Sequence, residues 1–309
     1  MKTPQGRILV LVGPTASGKT SLSIELARIL NAEIISADSR QVYRYLDIGT
    51  AKPTKGELAE VPHHFVDILP PDAGFSAGLF GVQARAVVEQ IFSRGRIPLV
   101  VGGSGLYVKS LIDGLFSGPG ADPDLRATLE DRMRSEGAAG LLEDLQRLDP
   151  ESAARIDPTK PRRIVRALEV CLLTGRPMSE LHRTEMPVIP FEAVQVGLLW
   201  ERALLNGRID ARCDGMLEAG LMEEVDRLAG LGYDRRLSAL NTVGYAEGFA
   251  CRAGEIGRTE MVRLFKRNTR RYAKRQMTWF RSDSRIKWTT MPGEGSAGRI
   301  ASLFFGRLP

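Results

Sequence analysis

The sequence predicts an α/β fold: a P-loop NTPase-like parallel sheet flanked by helices, with an all-helical insertion domain. Three observations predict it. Short apolar strands alternate with amphipathic helices in both outer parts of the chain, the pattern of a parallel sheet with right-handed crossovers. Gly13–Thr20 reads GPTASGKT and fits the phosphate loop G-x-x-x-x-G-K-S/T at every fixed position. Between the outer parts, residues 117–193 show helical periodicity and no convincing strand. The expected division is a core of residues 1–116 and 194–309, and a helical insertion of residues 117–193.

Residues 7–12 (RILVLV) are apolar and β-branched and read as a buried strand. The loop follows, and then residues 21–30 place Leu22, Leu26 and Leu30 on one helical face. Strand, Gly-rich turn and helix is the arrangement the motif requires, with backbone N–H groups converging on a phosphate at a helix N-terminus. Residues 32–37 give a second strand, ending in Asp38. Residues 38–53 are polar with interspersed aromatics and read as a functional loop. A third strand is expected at 64–69, and a helix from a Ser76 cap to about Arg94. Residues 97–105 (IPLVVGGSG) give another buried strand and a second Gly-rich turn into a helix.

After the insertion, residues 194–200 return as a strand. Helices are expected at about 203–219, 221–231, 243–252 and 260–281, then a strand at 286–290 and a short terminal helix.

The chain has 309 residues, 43% hydrophobic, enough for a large core. A net charge of +6 leans toward a polyanionic partner. Cys171, Cys213 and Cys251 are far apart and form neither a metal spacing nor a disulfide framework, which fits a reducing interior. No apolar run reaches the ~20 residues of a membrane span, and MKTPQG enters the first strand without a signal or transit pattern. The expectation is a cytoplasmic, monomeric enzyme with no membrane partner.

Within the loop Gly13, Pro14, Thr15, Ala16, Ser17, Gly18, Lys19 and Thr20 would cradle a di- or triphosphate, Lys19 on the terminal oxygens and Thr20 on Mg2+. A switch or motor NTPase usually carries an Asp after its next buried strand. Here that strand ends VVGGS, so energy-coupled ATP hydrolysis is disfavoured and a transferase favoured. Asp38, at a strand end beside the phosphates, would bind magnesium or take a proton from a nucleophile, or else form a turn with Ser39. Ser104 would donate to a phosphate or a base, or cap the helix before Leu106. His63 and His64 have no ligand-spaced partner and read as structural. In 263–281, Arg263, Arg267, Arg270 and Lys274 share a helical face, with Phe265, Tyr272 and Trp279 as apolar anchors. That face is a candidate for a nucleic-acid backbone, or a solvated surface.

GPTASGKT, ADSRQVY, DIGTAKP, VGGSGLY, RRIVRALEV, VGY and AKRQMTWFR occur in this order along nearly the whole chain. Together they closely resemble the tRNA dimethylallyltransferase (isopentenyl-tRNA transferase) family of bacterial type. The resemblance implies transfer of the dimethylallyl group of dimethylallyl diphosphate to N6 of adenosine 37 in tRNAs with A36-A37-A38, which read codons beginning with U. It implies that the phosphate loop grips the donor's diphosphate with Mg2+, that Asp38 is the general base, and that Ser104 contacts diphosphate or tRNA. Arg212 matches a family arginine near the diphosphate. Asp38, Ser39, Arg40 and Gln41, Arg126, Arg162, Arg163, Ile164, Val165 and Arg166, and Asn241, Thr242, Val243, Gly244, Tyr245 and Ala246 match stretches that touch tRNA. Thr159-Lys160 and LNTVGY depart from commoner family patterns in presumed tRNA-contacting regions. On the residues alone, a small-molecule or nucleoside kinase and a non-catalytic RNA-binding NTPase relative remain as rivals.

Overall fold

A computed structural model describes residues 6–306 apart from 117, 121 and 292–294. The chain divides into two compact units, Met1–Ile112 with Pro190–Pro309, and Asp113–Ile189.

The larger unit begins with β1 (Arg7–Val12), of which only Arg7 is exposed. The phosphate loop leads into α1 (Lys19–Leu30), whose N-cap Gly18 sits at φ 84°, a left-handed turn that glycine adopts without a Cβ clash. β2 (Ala32–Ser36), α2 (Lys55–Glu60), β3 (His63–His64), α3 (Ala77–Ser93), β4 (Ile97–Gly102) and α4 (Gly105–Ile112) follow. Ser76 caps α3 by accepting from Leu79 N–H, as its position predicts.

The smaller unit holds α5 (Pro123–Ser135), α6 (Gly137–Leu148), α7 (Pro150–Arg155), α8 (Pro161–Thr174) and α9 (Met178–Thr184). The larger unit resumes with β5 (Glu192–Trp200), α10 (Arg202–Glu218), α11 (Leu221–Gly230), α12 (Tyr245–Arg252), α13 (Arg258–Arg281), β6 (Lys287–Met291) and α14 (Ser296–Phe304).

The six strands form one sheet in the order β3-β2-β4-β1-β5-β6, every pair parallel. Parallel strands need their hydrogen-bonding ends reconnected by crossovers, so helices cover the sheet and the strands are apolar on both faces. Leu9 and Leu11 pack with Leu99, Leu198, α1 and α14 in one core. A second core joins Val42 and Leu46 to α10, α11, α12 and α13. Among the described residues no helix is long and apolar enough to cross a membrane.

One expectation changes. The third strand shrinks to His63–His64, with only an isolated bridge from Leu69 to Tyr43, because Phe65 and Asp67 take positive φ and break the extended run. The strands ending at the phosphate loop and at Asp38 are not direct neighbours; β4 lies between them. Gly102 at the end of β4 makes this possible. A Cβ there would collide with the Ala37 carbonyl, which accepts from Ser104 N–H at 3.2 Å.

In the smaller unit, Leu129, Leu141, Leu145, Ile164, Val165 and Leu168 form a separate core. Asp122 caps α5 on Leu125 N–H, with Pro123 at the first helical position. Asp149 caps α7 on Ser152 and also accepts from Ser179 N–H and Oγ, tying α7 to α9. The sequence segment 117–124 that marks the expected start of the insertion includes Ser117 and Ala121, which lie outside the described residues.

Candidate active site

A cavity of about 580 Å³ opens at the carboxyl ends of β1, β2 and β4, where ligands of open parallel sheets bind. Its wall includes Thr15–Ser21, Asp38–Gln41, Arg208, Arg212, Thr242 and Tyr272. The first strand-end loop, the Asp38 segment and Arg212 on α10 therefore share one space, as expected from the sequence.

The loop is held in shape by its own Lys19 and by side chains from outside it. Lys19 Nζ donates to the carbonyls of Gly13 (2.9 Å) and Pro14 (2.7 Å). Arg208 Nε donates to Ala16 O at 2.9 Å, its guanidinium 4.4 Å over the Trp200 ring. The Trp200 indole N–H donates to Ser17 O at 3.0 Å. Gln276 Oε1 accepts from Thr15 N–H at 2.8 Å. The hydroxyl of Ser17 is buried without a hydrogen-bond partner, a polar atom that an entering anion would satisfy. Because α1 starts at Lys19, its first N–H groups have no acceptor within the helix, and Lys19, Thr20 and Ser21 line the cavity.

Burial, with Arg212 adding to it, pushes Lys19 from its ordinary 10.5 down to about 7, and Asp38 opposes the shift. Burial also lowers Arg212, again against the pull of Asp38. The Tyr272 phenol is pushed up to about 12 by burial and then by the Asp38 carboxylate. These shifts describe two cations, a carboxylate and a phenol crowded into a space short of solvent.

Asp38 forms the turn and faces the cavity at once. Its Oδ1 accepts from Arg40 N–H (2.8 Å) and Gln41 N–H (3.4 Å), while Oδ2 takes no hydrogen bond from the described residues. Ser104 does not cap α4 with its side chain. Its hydroxyl accepts from Ser39 N–H at 3.0 Å and so holds the Asp38 turn. Gln41 is committed as well: Nε2 donates to Thr50 O and Ala51 O, and Oε1 accepts from Ser36. His63 and His64 do not line the cavity; His64 pairs with Glu33 at 2.8 Å.

The residues expected to touch a nucleic acid fall into two groups. Ile164 and Tyr245 are fully buried and Val165 nearly so; their side chains belong to cores. The Tyr245 hydroxyl donates to Glu224 at 2.6 Å. Arg126 and Arg166 bind the fully buried Glu169, both at 2.6 Å. Arg162 and Arg163 are exposed and make no side-chain hydrogen bond or ion pair among the described residues. On α13, Arg263 pairs with Glu260 and Arg270 with Asp210, and Arg267 donates to Asn268. The exposed basic face is Arg271, Arg275 and, of the residues expected there, Lys274; none of the three has an acidic partner among the described residues, and the Arg275 guanidinium lies 5.7 Å over the Tyr272 ring. Asp210 and Asp214 on α10 attract Arg270 and Lys266, a partnership invisible to spacing along α13 alone. Asn241 is exposed, and Thr242 and Val243 line the cavity. The sequence reading missed Trp200, Arg208 and Glu224 as loop-holding residues; no motif marks them.

Comparison with known proteins agrees with this geometry. The family model "IPP transferase" matches residues 41–283. The tRNA dimethylallyltransferase of Geobacter sulfurreducens is 46% identical over 97% of each chain, and that of Bacillus velezensis 44% over 94% of this chain and 93% of its own. The crystal structure of the tRNA isopentenylpyrophosphate transferase of Bacillus halodurans superposes with a TM-score of 0.71 at 40% identity, covering 97% of this chain and 95% of that one. A eukaryotic dimethylallyltransferase acting on tRNA superposes at 0.81 with 25% identity, covering 99% of this chain and 81% of that one. The chain belongs to the IPP transferase family, the tRNA dimethylallyltransferases, and is a prenyltransferase that modifies tRNA.

Proposed function

We propose that the chain transfers the dimethylallyl group of dimethylallyl diphosphate to N6 of adenosine 37, in tRNAs with A36-A37-A38 that read codons beginning with U. The observation that carries this reading is one cavity wall holding a phosphate loop on one side and Asp38, with its Oδ2 uncommitted, on another. Gly13–Thr20 binds the donor's diphosphate, and Lys19 and Arg212 neutralise the charge that grows on it as it leaves. The adenine amine is a weak nucleophile because its lone pair is delocalised into the ring. It attacks the allylic carbon, the carbon–oxygen bond breaks, and diphosphate departs with the electron pair. Asp38 Oδ2 takes the amine proton. The base reaches this cavity only after leaving its stack.

The oxygen-rich wall suits Mg2+. Among the described residues no three His, Cys, Asp or Glu side chains gather as a metal cage. Mg2+ needs only one or two protein oxygens beside phosphates and water, and the Thr20 hydroxyl offers one. Bound there, it would supply further charge stabilisation to the diphosphate. Residues 117–193, with Arg162 and Arg163, and the α13 face at Arg271, Lys274 and Arg275 bind the anticodon stem-loop through its phosphates.

The test is incubation with dimethylallyl diphosphate, Mg2+ and an unmodified tRNA carrying A36-A37-A38, followed by nucleoside mass analysis. Adenosine 37 gains one C5H8 unit. Phosphate transfer from ATP to a small acceptor, with no prenylated nucleoside, would favour the kinase reading instead.

A further inference from the structure

Gln276 sits on the inner face of α13, 6% exposed, with both polar atoms of its amide committed. Its Oε1 accepts from Thr15 N–H at 2.8 Å, and its Nε2 donates to the Gly103 carbonyl at 2.9 Å. Thr15 belongs to the loop after β1 and Gly103 to the loop after β4, the neighbouring strand. The amide is therefore a bridge between two strand-end loops that have no regular ladder to join them. Gly103 leaves the room for it, since a Cβ there would collide with Nε2. A side chain that accepted only, or donated only, would satisfy one loop and leave the other unbound. The same helix carries Arg271, Lys274 and Arg275 exposed on its other side.

We infer that Gln276 is a positioning residue for the diphosphate donor: it fixes the phosphate loop to the second Gly-rich loop so that the cradle is formed before the donor arrives. This rests on the reading that Gly13–Thr20 holds the donor's diphosphate. Binding to a preformed cradle avoids the ordering cost that a loose loop would add to each binding event. The arrangement also gives the loops after β1 and β4, the latter holding Ser104 and through it the Asp38 turn, one common reference point.

The probe is inorganic pyrophosphate with Mg2+, titrated calorimetrically into the full chain, alongside steady-state kinetics with dimethylallyl diphosphate and tRNA. Gln276→Met keeps the length and removes both hydrogen bonds. Gly103→Ala leaves the amide intact but pushes it from its place. Both variants are expected to weaken pyrophosphate binding about tenfold and to raise KM for the donor by a similar factor. KM for tRNA stays within about twofold and kcat changes less than KM. Circular dichroism and thermal unfolding establish that each variant is folded. If Gln276→Met fails to fold, Gly103→Ala alone carries the test. Folded variants that bind pyrophosphate within about twofold of the wild type overturn the inference, as does an equal loss of donor and tRNA affinity, which would mark a merely structural amide. A wild-type protein that does not bind pyrophosphate would instead overturn the reading of the loop.

Discussion

With the donor's diphosphate in the proposed cradle, Lys19 is expected to tie its binding to pH. In the donor-free protein its ammonium is held down to about 7 by burial and by Arg212. A diphosphate arriving beside it favours the charged form and raises that value again. Binding above pH 7 must therefore take up a proton. With a free-state value of about 7, roughly nine-tenths of Lys19 is charged at pH 6 and one-tenth at pH 8. Donor affinity is expected to fall about tenfold across that interval, about 1.4 kcal/mol. Phosphate second ionisations lie near 6, so above pH 7 the donor's own charge is nearly constant and does not mimic the effect. Titration calorimetry at pH 8 in buffers of different ionisation enthalpy should count about 0.9 proton taken up per donor bound. Lys19→Gln should abolish the uptake. Affinity that is flat from pH 6.5 to 8.5, with no proton uptake by the wild type, would refute the argument. The same depression has a sign for stability. Between pH 7 and 10.5 the unfolded chain holds the proton and the donor-free fold does not, so stability rises with pH across that window.

Asp38→Asn should lower the single-turnover rate by about 10²–10⁴-fold while tRNA affinity measured by filter binding is retained; a near-native rate removes Asp38 as the base. Replacing Arg271, Lys274 and Arg275 by Ala should weaken tRNA binding and flatten the salt slope of log K by roughly 0.7 to 0.9 per lost phosphate contact, read from affinities at several salt concentrations. Arg263→Ala and Arg270→Ala, whose charges are already paired, should leave that slope unchanged. Glu224→Gln should cost about 3 kcal/mol in urea unfolding, because one oxygen of a buried acceptor becomes a donor facing N–H groups.

Much of this was legible in the sequence because its signals are local. A phosphate loop is written in eight consecutive residues, and a buried parallel strand in six apolar ones, so β1, β4 and α1 could be drawn from the page. Asp38 and Lys19 were assigned to one crevice on strand-end logic, and they do share a cavity. What could not be read was partnership across the fold. The loops held by Gln276, Trp200 and Arg208 lie some 180 to 260 positions away in the chain. The acidic partner of Arg270 on α10, and the reach of Arg126 on α5 to the buried Glu169 on α8, are equally invisible to periodicity. Hence the basic face of α13 turned by about one helical position from Arg263–Arg270 to Arg271–Arg275. The stretch at 64–69 reads as a strand by composition, yet positive φ at Phe65 and Asp67 ends it after two residues.

Glu224 reaches the loop of residues 47–50 from α11. Its carboxylate, 1% exposed, accepts from the consecutive N–H groups of Asp47 (3.1 Å), Ile48 (2.9 Å) and Gly49 (3.1 Å), and from the Tyr245 hydroxyl. Three successive amides converging on one anion make a nest, the same device by which a phosphate loop holds its ligand. The molecule thus carries two nests facing its functional segment, and it has filled one with an anion of its own. The internal guest leaves the cradle at Gly13–Thr20 as the open one of the two.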